Sequence, residues 1–250
     1  MVSGVLVLTA LEFEAATLAQ LLAPPHPLAL RRLTASPFPT WAAGDWRLAP
    51  VGPRAAVLGA RWDALIAGLD RPLVVSAGVC GALDPGLRRG DLVLPETVVG
   101  PLGDSRAVDP DAHRRWRQAL DRPAHIGALL TARQVAATPA AKAALRGRSG
   151  AVAVDMESAL ILAAAEAAGC PALVVRAVSD AAGESVPAGL DELLTPEGGV
   201  RRLRAVGRAL TRPAQIPAAL RLERATRGAL RAVATALAAA AGASAPARAS

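Results

Sequence analysis

Three continuous apolar runs constrain the fold of this chain more than any other feature. They span residues 4–10, 72–77 and 172–180 and consist mainly of Val, Leu and Ala. Strands without polar alternation are typical of a sheet that is covered on both faces. Apolar residues recur at helical spacing at 11–22 and again at 156–168. This alternation predicts an α/β fold with a mostly parallel central sheet, flanked by helices on both faces.

The length of the chain fits one large domain. Its 250 residues, of which 52% are hydrophobic, can bury one extensive core. We expect this domain to span residues 1–241 and a disordered tail to follow at 242–250. Helical spacing at 190–241 is interrupted by a proline, which predicts two helices. The segments 23–47 and 100–121 are predicted to be irregular, and either could wall a pocket.

Composition argues against several classes of function. The formal charge of +7 comes almost entirely from scattered Arg, which is typical of a solvated basic face rather than of a nucleic-acid site. Cys80 and Cys170 lie in apolar runs, and the three histidines lack the spacing of metal ligands. We therefore expect no metal site. No run reaches the roughly 18 apolar residues that a membrane span needs, so a cytoplasmic protein without an integral membrane segment is expected.

Polar residues cluster at or next to the predicted carboxyl ends of strands. Glu14 lies where the first strand meets its helix, Ser76 lies in the second strand, and Arg176, Ser179 and Asp180 lie in the third. Ligands of open α/β sheets bind at this edge. The sequence therefore predicts a small-molecule site there.

Three stretches together resemble the nucleoside phosphorylase and nucleosidase superfamily, which includes methylthioadenosine/S-adenosylhomocysteine nucleosidase. They are residues 10–15, residues 76–83 with 90–93, and residues 154–158 with 175–180. The segment 210–217 is similar to the hopanoid-associated phosphorylase branch. The resemblance implies an enzyme that cleaves the N-glycosidic bond of a purine nucleoside carrying adenine, without a cofactor. It also implies a homo-oligomer.

The resemblance assigns the residues around the base and the sugar. Asp180, helped by Ser179, would donate a proton to N7 of the departing purine. Glu157 would bind the ribose hydroxyls, and Met156 would pack under the sugar. To hold a proton near neutral pH, Asp180 is expected to be desolvated or hydrogen-bonded in its protonated form. Considered alone, Asp180 and Glu157 could equally be residues that favour a helix start.

The resemblance also assigns the side of the incoming nucleophile. Glu14 matches the base that activates water, and Glu12 is the alternative because a shift of the strand end would exchange them. Arg176 would orient Glu14 or an anionic nucleophile through its several donors. Ser76 and Gly78 lie where glycines let backbone amides approach an anion or a ribose.

Two further positions are candidates, and the nucleophile stays open. Arg54 could bind phosphate, and the backbone near Val135 could meet the purine edge, although residues 131–136 lack the Gly-Asp pair and the aromatic typical of the family. Hydrolysis by water is the first hypothesis. Phosphorolysis, including adenosylhopane processing, is the second. A noncatalytic basic protein that binds nucleic acid or anionic lipid through its Arg-rich helices is the third.

Overall fold

A twelve-stranded sheet forms the centre of the molecule. The computed structural model describes residues 4–187, 195–200 and 216–244. The strands are β1 Val5–Thr9, β2 Arg31–Arg32, β3 Trp41–Ala43, β4 Trp46–Pro50, β5 Leu73–Ala82, β6 Leu92–Val93, β7 Thr97–Val99, β8 Ser105–Ala107, β9 Ala124–His125, β10 Ala128–Thr131, β11 Ala153–Asp155 and β12 Ala172–Asp180. The helices are α1 Glu12–Leu21, α2 Leu58–Ile66, α3 Pro110–Ala119, α4 Pro139–Ser149, α5 Ser158–Ala167 and α6 Ile216–Ser244, and a 3-10 turn spans Pro53–Ala55.

The long strands at the centre run parallel to one another. Strand β1 lies between β4 and β5, and β12 pairs with β5 on its other side. Ser76 of β5 is level with Leu8 of β1 and with Val174 of β12. Because the three strands share one direction, their carboxyl ends meet at one edge of the sheet. Glu14, at the start of α1, and Asp180, at the end of β12, are therefore carried to this edge.

The sheet as a whole is mixed. Antiparallel pairs join β2 to β3, β3 to β4, β7 to β8, β11 to β5 and β12 to β6. The α/β class and the single domain are confirmed, but the sheet is less parallel than the apolar runs indicate. The strands β2, β3, β6, β8 and β11, which form these antiparallel pairs, have only two or three residues each. Strands this short leave little trace in the hydrophobic pattern.

Strand β12 shows how completely the centre is covered. All nine of its residues are buried, and successive side chains of a strand point to opposite faces. Helix α5 packs against β5 and β12, while α6 packs against the same strands and against α1 and α3. Leu230, Val233 and Leu237 of α6 are each at most 1% exposed. Helices therefore cover both faces, as predicted.

The two segments predicted to be irregular contain regular structure and contribute to the core. Residues 23–47 include β2 and β3 and the start of β4, and residues 100–121 include β8 and α3. Trp46 and Trp116 are buried, and their rings stack with centroids 6.4 Å apart. The two segments thus pack against each other. The prolines of these segments suggested irregular structure, but Pro110 is the first residue of α3, directly after its N-cap Asp109.

The observed bounds of β5 and α6 also differ from the predicted ones. Gly78 and Gly81 were expected to follow a strand, but β5 continues through both because it pairs with β12 as far as Gly81. Helix α6 extends to Ser244, three residues into the predicted tail, and residues 245–250 lie outside the described residues. The predicted helix break near residue 213 lies outside them as well.

Candidate active site

A buried arginine organises the candidate site. Arg176 of β12 is 1% exposed and pairs with Asp155, to which its Nη2 lies 2.8 Å from Oδ2 and its Nε 3.1 Å. Nη2 also donates to the hydroxyls of Ser76 (2.8 Å) and Ser158 (3.1 Å). Burial disfavours the charged guanidinium, but Asp155, Glu157 and Glu14 outweigh it and raise the pKa of Arg176. The arginine is thus a permanent cation, and a surface position for it is excluded.

Asp155 anchors this arginine to two further elements. Its Oδ1 accepts the Thr131 hydroxyl of β10 (2.8 Å), and its Oδ2 accepts the Ser158 backbone N–H at the start of α5 (3.1 Å). The buried charge is therefore both paired and hydrogen-bonded, as a stable interior ion pair requires. Arg176 was expected to orient Glu14, whereas its ion pair is with Asp155, the last residue of β11, and β11 and β12 both pair with β5.

Glu14 lies on the other side of Arg176. Its carboxylate accepts the backbone N–H groups of Leu11 and Val79, each at 3.1 Å. A Cβ at position 78 would lie 2.8 Å from Glu14 Oε1 and 2.5 Å from Arg176 Nη1, so only glycine allows the two groups this approach. Burial raises the pKa of Glu14, and Arg176 with the backbone N–H groups offsets part of the rise. A carboxylate in this state can act as a base near neutral pH.

Glu157 lies between Arg176 and the turn that carries Arg54. Its Oε1 accepts the Arg54 backbone N–H (3.0 Å), and its Oε2 accepts the Met156 N–H (3.3 Å). Burial, with the nearby Asp155 carboxylate, raises the pKa of Glu157 to about 7, although Arg176 opposes the rise. Glu157 is 7% exposed, so its carboxyl group is almost completely shielded from solvent.

Asp180 ends the same strand that carries Arg176. Its Oδ1 accepts the Ser179 hydroxyl at 2.6 Å, and its Oδ2 lies 2.5 Å from Nζ of Lys142 on α4. A Cβ at position 81 would lie 3.0 Å from Oδ2, so Gly81 leaves space for the carboxylate. Asp180 is buried, as expected of an acid behind an apolar strand, but it is ion-paired with a lysine that the sequence did not suggest.

The structure brings most of the predicted residues together. Glu14, Ser76, Gly78 and Glu157 all surround Arg176. The described contacts do not join Val135 to this group, since it is 37% exposed on the loop between β10 and α4.

Two expected roles look different in the structure. Arg54 reaches Glu157 through its backbone N–H, while its Nε donates to the Arg133 carbonyl (3.0 Å). Glu12 is only half-buried, whereas Glu14 is buried beside the arginine, so the geometry favours Glu14 of the two.

Three residues of the site had been missed. Asp155 and Ser158 belong to the same segment 154–158 as Glu157, but only the structure shows that they face Arg176. Lys142 has a signal in the sequence, because it is the only lysine of the chain.

Two features are absent from the described part of the chain. Within residues 4–187, 195–200 and 216–244, no group of three or more His, Cys, Asp or Glu side chains could hold a metal ion. Among the same residues, no helix has the length and apolar character to cross a membrane. The described site contains carboxylates, one guanidinium, one ammonium and hydroxyls.

Comparison with known proteins identifies the family. Residues 51–210 match the phosphorylase superfamily, so the chain belongs to this superfamily of enzymes. No curated protein sequence matches the chain.

The fold is similar to solved nucleosidase structures. The 5′-methylthioadenosine/S-adenosylhomocysteine nucleosidase of Neisseria meningitidis, in complex with methylthio-immucillin-A, is 19% identical with a TM-score of 0.69 and covers 96% of this chain and 98% of its own. The Streptococcus pneumoniae enzyme with 8-aminoadenine is 19% identical with a TM-score of 0.70, covering 96% and 99%. Futalosine hydrolase of Helicobacter pylori is 16% identical with a TM-score of 0.70, covering 97% and 98%.

Proposed function

We propose that the protein is a nucleosidase that hydrolyses the N-glycosidic bond of a purine nucleoside, with adenine as the base. The observation that carries the proposal is the arrangement of Glu14 and Glu157 around Arg176, with Asp180 four residues further along the same strand. Cleavage of this bond develops positive charge on the sugar and negative charge on the base. Acids on both sides of the bond meet these two needs.

Each carboxyl group has its own role in the proposed reaction. Water attacks C1′ while Glu14 accepts its proton, and the electrons of the C1′–N9 bond move to the purine. Asp180 gives its proton to N7, so the base leaves neutral. Glu157 accepts hydrogen bonds from the ribose hydroxyls and stabilises the cationic sugar, and Met156 packs under the ring. Over a turnover Glu14 releases one proton to solvent and Asp180 regains one.

The surroundings of Glu14 support water rather than phosphate as the nucleophile. Its carboxylate accepts the Val79 N–H, which is a donor that a phosphate bound over Gly78 would need. A buried carboxylate would also repel a phosphate dianion there. The donors of Arg176 Nη2 and Nε are directed to Asp155 and the two serines. Phosphorolysis with Arg54 and Arg176 as phosphate ligands is the second candidate, and it requires these contacts to change.

The solved structures support adenine as the base. The structures of the Neisseria and Streptococcus nucleosidases contain methylthio-immucillin-A and 8-aminoadenine. The futalosine hydrolase has a comparable TM-score, so a futalosine-type nucleoside belongs among the substrates to be tested.

A substrate panel with and without phosphate tests the proposal. Methylthioadenosine, adenosylhomocysteine, adenosine, inosine and a futalosine-type nucleoside are incubated with the enzyme, and free base is measured by chromatography. We expect adenine to be released from at least one substrate at a rate that phosphate does not change. Release only in the presence of phosphate would establish phosphorolysis instead. If no nucleoside loses its base under either condition, the proposed function is wrong.

A matched pair of variants tests the assignment of the base. Glu14→Gln should lower kcat by about 10²–10⁴-fold, because the attacking water loses its proton acceptor. Glu12→Gln, two residues away on the same helix turn, should stay within about threefold of the wild type, since position 12 does not contact Arg176 in the described network. The reverse pattern would transfer the role of base to Glu12.

A further inference from the structure

Lys142 stands out in both composition and position. It is the single lysine among the 28 lysine and arginine residues of the chain, and it is 1% exposed on α4. Lysine is almost never fully buried in proteins unless its charge is paired. Its partner is the Asp180 carboxylate, at 2.5 Å. A chain that uses arginine at 27 other positions therefore carries its one ammonium group beside the acid of the candidate site.

The contacts of Lys142 use all of its donors. Nζ donates to Asp180 Oδ2 (2.5 Å), to the Ala181 carbonyl (2.7 Å) and to the Glu184 carbonyl (3.0 Å). An ammonium group has three N–H donors, so every one has an acceptor here. A guanidinium is larger and planar, and it cannot direct three N–H groups from one atom. The geometry of the three acceptors thus selects lysine rather than arginine.

We propose that Lys142 is a positioning residue for the departure of the base, an inference that rests on the proposed nucleosidase function. It fixes the Asp180 carboxyl against the backbone that follows β12. Its charge also stabilises the carboxylate that remains when the proton has moved to N7. The bond that breaks is Asp180 O–H, the bond that forms is N7–H, and the ammonium keeps all its protons. Solvent supplies the proton that reloads Asp180.

The physical basis is the low dielectric around the pair. A nearby cation is worth more to a carboxylate in a buried site than in water, because solvent does not screen it. In the structure Oδ2 of Asp180 faces the ammonium of Lys142, and Oδ1 accepts the Ser179 hydroxyl. A preorganised cation of this kind lowers the barrier only when the carboxylate forms.

A double-mutant cycle tests this role with methylthioadenosine and the other adenine nucleosides of the panel. Lys142→Gln removes the charge but retains two N–H donors for the Ala181 and Glu184 carbonyls. We expect kcat to fall about 10²-fold while KM stays within about threefold. In an Asp180→Asn background the same substitution should change kcat by less than about threefold, because Lys142 acts through Asp180. Lys142→Arg should recover part of the loss.

Three results would overturn the inference. They are a Lys142→Gln enzyme with kcat within threefold of the wild type, a loss that lies in KM alone, or a loss of equal size in the Asp180→Asn background. Arg146→Gln, one turn along α4 and paired with half-buried Asp84, is the control and should leave kcat unchanged. Thermal unfolding of each variant separates loss of fold from loss of function.

The design distinguishes the two proposals and survives a variant that does not fold. If Lys142→Gln is unfolded, Lys142→Arg carries the test, with an expected loss of about tenfold that disappears in the Asp180→Asn background. A wild-type enzyme that releases no base from any nucleoside overturns the proposed function and this inference together. An active wild type with unaffected Lys142 variants overturns the inference alone.

Discussion

Around Arg176 the protein buries more negative than positive charge. Asp155, Glu157 and Glu14 all lie near one guanidinium, and burial penalises each carboxylate that stays ionised. Asp155 takes the direct ion pair, so burial acts on Glu14, and burial together with the Asp155 charge acts on Glu157. This is why the pKa of Glu14 and that of Glu157 are both raised. Two buried carboxyls with raised pKa values are typical of functional sites and are unfavourable for stability when ionised.

Glu157 makes this conflict measurable. Its pKa is about 7 in the fold against an ordinary 4.5, so the folded protein holds the proton more tightly. The stability that this gives is full below pH 4.5 and is lost as the pH rises through 7. At pH 8, the free energy of unfolding of Glu157→Gln should therefore exceed that of the wild type by up to roughly 3 kcal/mol, and the gain should shrink towards pH 4.5.

The same substitution should lower activity, although it raises stability at pH 8. Glu157→Gln should release adenine far more slowly, because the amide stabilises the cationic sugar less than a carboxylate does. Thermal unfolding at pH 4.5 and pH 8 and the release of adenine are the measurements. Glu96→Gln, at an exposed position, is the control and should shift stability equally at both pH values. A Glu157→Gln protein whose gain does not depend on pH would contradict the assignment.

The residues of the site were predictable where a local pattern marks them. Glu14, Arg176 and Asp180 stand out because polar groups are rare in apolar strands and at their ends, whereas Glu157 was marked only by the family resemblance. The burial of Lys142 could not be predicted in the same way, since most other residues of its helix, α4, are exposed. Its burial depends on contacts with residues about 40 positions away.

Among the helices, α6 has the strongest structural role in the described part of the chain. It packs on β5 and β12, the strands that carry the candidate site, and on α1 and α3. Its apolar stripe includes Leu230 and Leu237, which are fully buried, while Leu220 near its start is 47% exposed. The helix thus supports the site from behind without contacting it in the described network.

Two leucines of this helix form a matched test. Leu230→Ala should destabilise the protein by about 2–5 kcal/mol, because it leaves a cavity beneath the sheet. Leu220→Ala should cost less than about 0.5 kcal/mol, as expected for a surface change. Urea unfolding measures both, and kcat at 25 °C should be retained in each. Equal costs at the two positions would show that α6 does not pack as described.

Elements were predictable in proportion to their length. The strands β1, β5 and β12 and the helices α1 and α5 each carry enough apolar residues for their periodicity to be clear. The hairpin β2–β3 and the helix α3 were missed, because α3 is polar on most of its surface and is recognised mainly by its Asp109 cap. Tertiary packing of Trp46 on Trp116, rather than local preference, gives these segments their structure.

At the scale of the whole molecule, the formal charge of +7 leaves one alternative to test, a noncatalytic protein that binds nucleic acid. We expect only weak, nonspecific binding to duplex DNA, with a Kd of about 10⁻⁴–10⁻⁶ M that is lost as salt rises above physiological strength. Fluorescence anisotropy over a salt series measures this, with Asp180→Asn as a variant that should bind equally. Tight, sequence-dependent binding together with no base release would favour the alternative.

Strand β12 has one more consequence. It carries Arg176 and Asp180 four positions apart on a single fully buried ladder, with a bulge just before the aspartate. At about 3.3 Å per residue, the interval between the guanidinium and the acid is set by the backbone and not by any loop. Insertions in the surrounding loops can therefore reshape the proposed nucleoside site while Arg176 and Asp180 keep their spacing. A single residue added within the strand would instead rotate the aspartate to the opposite face.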